Sequence, residues 1–279
     1  SMERLKRTER IAVIMNILIT NPNKVITLSH FCDLFSTAKS TCSEDIDIVK
    51  KSIRQFGLGH VDTVAGAAGG VRFRHAMSIG DAYKFIKDLC DNLSSETRVL
   101  TGGFLYLSDI LSMPSITRNM GIIIADRFYG YSPDFVLTME TKGIPVALMT
   151  AEALNVPLVI ARRSSKVYEG PTVSINYVSG SSGRIDTMSL PRRSIQSGQK
   201  ALIVDDFLKA GGTAKGMEDL MREFNCNIVG NAFVMSTELP QKKEISDYVS
   251  LMTLNNTDSL SGKLLVKPAN WLVNGEKDE

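Results

Sequence analysis

The chain has 279 residues, 43 % of them hydrophobic and 22 % charged, the balance of a folded, water-soluble protein. No apolar run approaches the roughly 20 residues of a bilayer-spanning helix, and the charged start SMERLKRTER lacks the apolar centre of a signal peptide. Four scattered cysteines, Cys32, Cys42, Cys90 and Cys226, make neither a CxxC pair nor a disulfide framework, so a reducing cytoplasm is the expected setting. The length exceeds that of an average domain and predicts two unequal ones, with a boundary at residues 75/76. A net charge of +2 hides an asymmetry. Residues 1–75 hold 11 Lys/Arg against 7 Asp/Glu, and the remainder holds 21 against 23. A basic N-terminal module facing a polyanion is the reading that follows.

In chain order, Glu3 to Thr20 places Leu5, Ile11, Ile14, Met15 and Leu18 near one helical face, and Asn21-Pro22-Asn23 ends it. KVIT reads as a very short strand and LSHFCDLF as a short second helix. Thr41 and Glu44 have the T-x-x-E spacing of a capping box, which predicts a third helix capped by Thr41. Behind it Ile46, Val49, Ile53 and Phe56 form one buried stripe, and Gly57 closes the helix. GHVDTVAGAAGGVRFRH follows as two β-type runs around a Gly/Ala tip. That tip lacks the G-x-G-x-x-G spacing of a dinucleotide loop. Three helices and a hairpin outline a winged helix-turn-helix, in which the third helix enters the major groove and the wing follows the backbone. Lys39, Ser40, Thr41 and Ser43 then begin the recognition helix, and Lys6, Arg7, Lys50, Lys51, Arg72 and Arg74 are the candidate phosphate contacts. A small protein-interaction domain with ordinary solvated lysines is the alternative.

MSIGDAYKFIKDLCDNLSS is helical, either as a link between domains or as the first helix of the larger one. From there the chain alternates: RNMGIIIADRFYG helical, PDFVLTM a strand, ETKGIPVALMTAEALN a turn and helix, VPLVIAR and KALIVDD strands, TAKGMEDLMREF a helix. Its apolar face is Met217, Leu220, Met221 and Phe224. Short apolar strands separated by helices predict an α/β domain with a central parallel sheet, whose ligands bind at the carboxyl ends of the strands. Two motifs fall there. Thr141-Lys142-Gly143 offers backbone N–H groups, a helix start and a lysine to a phosphate. Asp205 and Asp206 can accept from a vicinal diol, while Lys209, Ala210, Gly211, Gly212 and Thr213 offer N–H groups and a hydroxyl to a phosphate. Diol acceptors beside a phosphate nest describe a ribose 5-phosphate site. A buried Asp that fixes a turn, or an acidic pair for a metal, are the alternatives. Phe207 presents an apolar face either to a base or to the core.

LIVDDFLKAGGTA resembles the phosphoribosyl pyrophosphate (PRPP) motif of type I phosphoribosyltransferases, and ETKG resembles their pyrophosphate loop. The resemblance implies that the acidic pair holds the ribose hydroxyls and the loop wraps the 5′-phosphate. It also implies that residues near 163–190, with YVSGSSGRIDTMSLPRRS, form a mobile hood. Many purine-specific members carry an acidic residue, a base for purine N7, where this chain has Lys209, a cation that accepts no proton at neutral pH. The loop's usual Thr-Gly is Ala210-Gly211. Both departures suit a site that binds an anionic ligand without turning it over.

Over almost its whole length the chain is similar to the purine operon repressors of Gram-positive bacteria. The resemblance rests on AKSTCSEDIDIVKK, VAGAAGGVRF, ETKGIPVA, VSINYVSGSSGRIDTMSLPRRS and VDDFLKAGGTA. It implies a winged helix fused to a non-catalytic phosphoribosyltransferase-like domain, residues 76–279. It further implies a homodimer that represses purine synthesis and salvage genes on double-stranded operator DNA and leaves the DNA when PRPP accumulates. Purine nucleotides such as guanosine polyphosphates are expected to compete for the pocket. No catalytic residue and no required cofactor are expected, and magnesium enters only with the ligand's pyrophosphate. A working phosphoribosyltransferase with an accessory N-terminal domain is the principal alternative, and a dimerisation scaffold the second. His30, His60 and His75 show no ligand spacing, and Trp271 is expected to pack the tail onto the larger domain.

Overall fold

Residues 7–74 form helices α1 (Arg7–Thr20), α2 (Leu28–Phe35) and α3 (Lys39–Gln55), a short strand β1 (Val25–Ile26) and the hairpin β2 (His60–Val64) and β3 (Gly70–Arg74). The computed structural model describes residues 4–163, 170–179, 183–255 and 265–277. They fall into two units, Ser1–Ser78 with Ala153–Asn155, and Ile79–Glu152 with Val156–Glu279. In the first unit the strands form an antiparallel sheet in the order β1-β3-β2. Its core is Ile14, Leu18, Phe31, Phe35, Ile46, Val49, Ile53 and Phe73, which includes most of the stripes expected on α1 and α3. Thr27 Oγ1 accepts from the His30 N–H at 3.1 Å and caps α2.

Two local expectations for α3 are corrected. The helix begins at Lys39 with Ala38 as its cap, so Thr41 lies inside the first turn. Glu44 does not reach back to Thr41, because its carboxylate accepts instead from Arg7 at 2.7 Å. An ion pair across helices replaces the local box. Phe56 is not on the buried stripe. It is the C-cap residue and is 72 % exposed, because the helix unwinds one residue before the apolar spacing ends. Gly57 does close the helix. At φ +61° it donates to Arg54 O at 3.3 Å, while Leu58 N–H reaches Ile53 O at 3.0 Å.

In the second unit α4 (Ile79–Leu93) packs on the C-terminal elements β13 (Val266–Pro268) and α9 (Asn270–Lys277), so it is the first helix of the larger unit. A small antiparallel pair, β4 (Val99–Leu100) and β5 (Phe104–Leu105), and the short α5 (Ser108–Leu111) lead into α6 (Pro114–Phe128). Strand β6 (Phe135–Met139), α7 (Ile144–Leu154) and β7 (Leu158–Ala161) follow the expected alternation. Residues 172–191 are a second antiparallel hairpin, β8 (Thr172–Val178) with β9 (Ile185–Pro191). This is part of the expected hood; residues 164–169 and 180–182 of that segment lie outside the described residues.

Strand β10 (Lys200–Leu208), α8 (Gly212–Glu223), β11 (Asn227–Thr237) and β12 (Val249–Leu254) complete the unit. The central sheet has the order β13-β12-β11-β10-β6-β7, parallel throughout except for β13. All five residues of β6 are buried, as a parallel strand covered on both faces requires. Met217, Leu220 and Met221 of α8 and Phe224 at its C-cap pack into one cluster with Leu137, Ile203 and Tyr177. Trp271 Nε1–H donates to Ser250 O at 2.7 Å, which ties the C-terminal helix to the sheet as expected. Among the described residues no helix is long and apolar enough to cross a membrane.

Candidate functional site

Strand β10 lies centrally in the sheet between β6 and β11, and its carboxyl end carries the acidic pair into a cleft of about 520 Å³. Asp205 is still within the strand and only 8 % exposed, whereas Asp206 is half-buried and lines the cleft. The Asp206 N–H donates to Asp205 Oδ1 at 2.9 Å. Burial, and after it the neighbouring Asp206 charge, raises the Asp205 pKa well above the usual carboxylate range. A carboxyl held in this way accepts a hydroxyl or a cation more favourably than it stays bare.

After Leu208 the chain turns sharply. Gly211 caps α8 with φ +95°, a conformation that costs a side-chain-bearing residue strain. The turn brings Ala210, Gly211, Gly212 and Thr213 to the wall of the cleft, with the N-terminus of the 12-residue α8 behind them. Backbone N–H groups and the positive end of a helix are the features that suit such a loop to an anion.

Opposite it, the β6–α7 turn brings Thr141 and Lys142 to the same cleft, and the Glu140–Thr141 peptide bond is cis. Gly143 packs against Asp205. A Cβ there would stand 2.3 Å from Asp205 Oδ1 and 2.7 Å from Thr138 Oγ1, so only glycine lets this turn pack against Asp205 of β10. Phe207 and Phe104 approach at 5.0 Å between ring centroids and both line the cleft. The Lys209 ammonium lies 5.3 Å from the Phe104 ring centroid and donates to Gly102 O. Every ligand-binding residue expected from the sequence belongs to this cleft or, as Gly143 does, packs directly behind it.

Sequence reasoning missed Arg163, Tyr177 and Phe104, which also line the cleft. Arg163 follows the carboxyl end of β7, and its N–H donates to Glu140 Oε1 at 2.7 Å. Its charge partly opposes the desolvation of Asp205 and of the Tyr177 hydroxyl. The rule that placed ligands at strand ends also singles out Arg163, since it stands two residues beyond a short apolar strand.

The candidate DNA contacts all lie in the first unit. Lys39, Ser40, Ser43 and Lys51 are exposed on α3, and Thr41 and Lys50 are half-buried. Lys50 donates to Thr63 Oγ1 on β2, which ties the helix to the hairpin. Lys6 is exposed at the start of α1, where its own N–H donates to Glu9 at 2.7 Å. Arg7 is bonded to Glu44 at 2.7 Å and Asp45 at 3.1 Å. Arg72 and Arg74 lie half-buried on β3. Asp45 of α3 is fully buried and bonded to Arg10 at 2.6 Å, which fixes α1 against α3.

Two family profiles match the chain: bacterial purine repressor, N-terminal, over residues 6–74, and phosphoribosyl transferase domain, over residues 108–262. The chain is 46 % identical over 256 residues to a Streptococcus pneumoniae protein named as a probable purine biosynthesis transcriptional regulator PurR, covering 91 % of this chain and 93 % of that one. It is 42 % identical to the Bacillus subtilis purine biosynthesis transcriptional repressor PurR, covering 96 % and 94 %. It is 40 % identical to the Lactococcus lactis purine biosynthesis transcriptional activator PurR, covering 95 % and 98 %. Among solved structures, an adenine phosphoribosyltransferase from Thermoanaerobacter pseudethanolicus shares the fold of the second unit. Its TM-score is 0.51 at 20 % identity, covering 60 % of this chain and 98 % of that one. A purine-repressor N-terminal domain joined to a phosphoribosyltransferase fold, with full-length relatives that are regulators rather than enzymes, leads to one conclusion: the chain belongs to the PurR family of purine biosynthesis transcriptional regulators.

Proposed function

We propose that this protein is a DNA-binding repressor of purine synthesis and salvage genes that senses PRPP and releases operator DNA when PRPP binds. The observation that carries the reading is the meeting of Asp205–Asp206 with the 209–213 loop and the Thr141–Gly143 turn around one cleft. Those three parts match the three parts of PRPP: a diol, a 5-phosphate and a pyrophosphate. Asp206 accepts from the ribose hydroxyls and Asp205 backs it, the loop N–H groups and α8 hold the 5-phosphate, and Lys142 faces the pyrophosphate. Magnesium, where present, arrives on the pyrophosphate. Lys209 stands where many purine-specific transferases carry an acidic acceptor for the base, which suits a ligand that is held and not consumed.

The Phe104–Phe207 pair gives a nucleobase an apolar surface beside the phosphate sites. A purine nucleotide bearing a pyrophosphate, such as a guanosine polyphosphate, is therefore a competitor for the same cleft and a co-repressor if it leaves the DNA-bound state undisturbed. On the DNA side, a homodimer presents two copies of α3 to an operator with two half-sites. PRPP adds several negative charges to a protein whose partner is itself a polyanion, and so weakens DNA attraction.

A salt-dependent gel shift on purine-gene promoter DNA, repeated with PRPP, tests the reading. Shifted complexes that dissolve with PRPP support it. Complexes indifferent to saturating PRPP contradict it. Formation of nucleotide and pyrophosphate from PRPP and a radiolabelled base would restore the enzyme alternative.

A further inference from the structure

The stretch Glu238–Tyr248 joins β11 to β12 and is hydrophilic, yet it buries one of its lysines. Lys243 is 8 % exposed. Its ammonium donates to Thr237 O at 2.8 Å and to Thr237 Oγ1 at 2.9 Å, both neutral acceptors at the carboxyl end of β11. Among the described residues no carboxylate comes within ion-pair distance of it. Buried lysines are ordinarily paired, since an uncompensated charge in the interior is costly.

Its surroundings explain what could compensate it. The next residue, Glu244, donates its N–H to Ala210 O at 2.8 Å, and a Cβ on Gly211 would lie 3.2 Å from that same nitrogen. The Lys243 segment is thus packed directly behind the glycine loop. The phosphate loop itself contributes Lys209, a like charge. Lys242 and Glu244 flank Lys243, and Lys215, Glu218 and Arg222 of α8 share a surface cleft with it. Glu238, at the end of β11, is bonded to Lys267 at 3.1 Å. Burial, and then the Lys209 charge, lowers the Lys243 pKa to about 8.

We propose that Lys243 is a positioning residue of the phosphate loop, a buried ammonium whose charge is compensated when an anionic ligand occupies residues 209–213. The proposal rests on the reading of that loop as a phosphate site. An anion in the loop favours the charged form of Lys243, so ligand binding and protonation help each other by the same factor. If the ligand raises the Lys243 pKa by one unit, affinity improves about tenfold when the lysine is charged. At pH 8 the complex then takes up about 0.4 proton.

The test is calorimetric titration of the full chain with PRPP and, separately, inorganic pyrophosphate at pH 8, in two phosphate-free buffers of different ionisation enthalpy. Wild type, Lys243→Met and Lys243→Arg are compared, with urea midpoints confirming that each variant folds. Subtracting Lys243→Met from wild type removes the ligand's own titration. The expected result is an additional proton uptake in wild type that is absent from both variants, with affinity at pH 8 lost about fivefold in Lys243→Met and kept in Lys243→Arg. Should Lys243→Met not fold, wild type and Lys243→Arg alone give the comparison, because arginine keeps the charge without titrating. Equal affinity and equal uptake in wild type and the folded variants overturn the role of Lys243 while leaving the phosphate site standing. Absence of PRPP and pyrophosphate binding in wild type overturns the phosphate reading itself, and Lys243 with it.

Discussion

Replacing Asp45 by alanine removes the acceptor that joins α1 to α3. Its carboxylate is fully buried and receives Arg10 Nε at 2.6 Å, Arg10 Nη2 at 3.3 Å and Arg7 Nε at 3.1 Å. Arg7 is half-exposed, keeps Glu44 and returns to water cheaply. Arg10 does not. Its side chain is 7 % exposed, and only the Nη1 bond to Leu5 O at 2.7 Å survives. The Asp45 hydrogen bond is the main cause of the raised Arg10 pKa, so the guanidinium stays charged and cannot escape by losing its proton. Breaking a buried pair from one side costs about 3–5 kcal/mol. That is a large part of the roughly 5–15 kcal/mol that holds a domain folded.

The single tryptophan, Trp271, lies in the other unit, so its fluorescence is blind to this change. Hydrogen exchange at the α3 amides from Ile46 to Ile53 reports it directly. Their opening free energy is expected to fall by about 3–5 kcal/mol in Asp45→Ala, and DNA affinity is expected to fall with it. The double replacement Arg10→Met/Asp45→Leu, which removes both charges, is expected to recover most of the loss. A fall below about 1 kcal/mol in the single variant would refute the reasoning, because it would mean that the buried guanidinium needs no counterion.

Asp205→Asn separates stability from ligand binding. The folded pKa of Asp205 is raised, so the stability linked to its protonated form is present below the ordinary carboxylate range and is lost as pH rises through the folded value. At pH 7–8 a neutral isostere is therefore expected to stabilise the ligand-free protein by about 1 kcal/mol, a rise of roughly 2–4 °C in Tm, while the PRPP-induced thermal shift shrinks. A lower Tm without ligand would contradict this. Gly143→Ala puts a methyl 2.3 Å from Asp205 Oδ1 and is expected to cost about 1–3 kcal/mol in denaturant unfolding and at least about tenfold in PRPP affinity. Unchanged affinity would show that the close packing of this turn on Asp205 is not needed for binding. Lys51→Ala, on the exposed face of α3, is expected to weaken operator and random DNA about equally and to reduce the salt slope by about 1. A loss confined to operator DNA would instead make Lys51 a base contact.

The ligand cleft was legible because its chemistry is local. Asp205, Asp206 and Gly211–Thr213 lie within nine residues of one another, and the apolar strand that carries the first two and the helix that begins at the last fix their place at the carboxyl end of a central strand. The α3 start was misread for the converse reason. Thr41 and Glu44 have the spacing of a cap, but Glu44 is claimed by Arg7, 37 residues away, and no local pattern encodes that. Phe104, Arg163 and Tyr177 enter the cleft from three separate elements, so only the folded sheet brings them together. Lys243 was illegible because ELPQKKEISDY has the composition of a solvated loop. Its burial follows from packing against residues more than 30 positions earlier, around Ala210 and Gly211.

Titrating PRPP into a complex of the protein with fluorescently labelled purine-gene promoter DNA, followed by anisotropy, tests the sensing mechanism most directly. Wild type is expected to release the DNA as PRPP rises, and Asp205→Ala/Asp206→Ala to hold it. DNA is also expected to weaken PRPP binding by the same factor that PRPP weakens DNA binding. DNA affinity undiminished at saturating PRPP would contradict the mechanism.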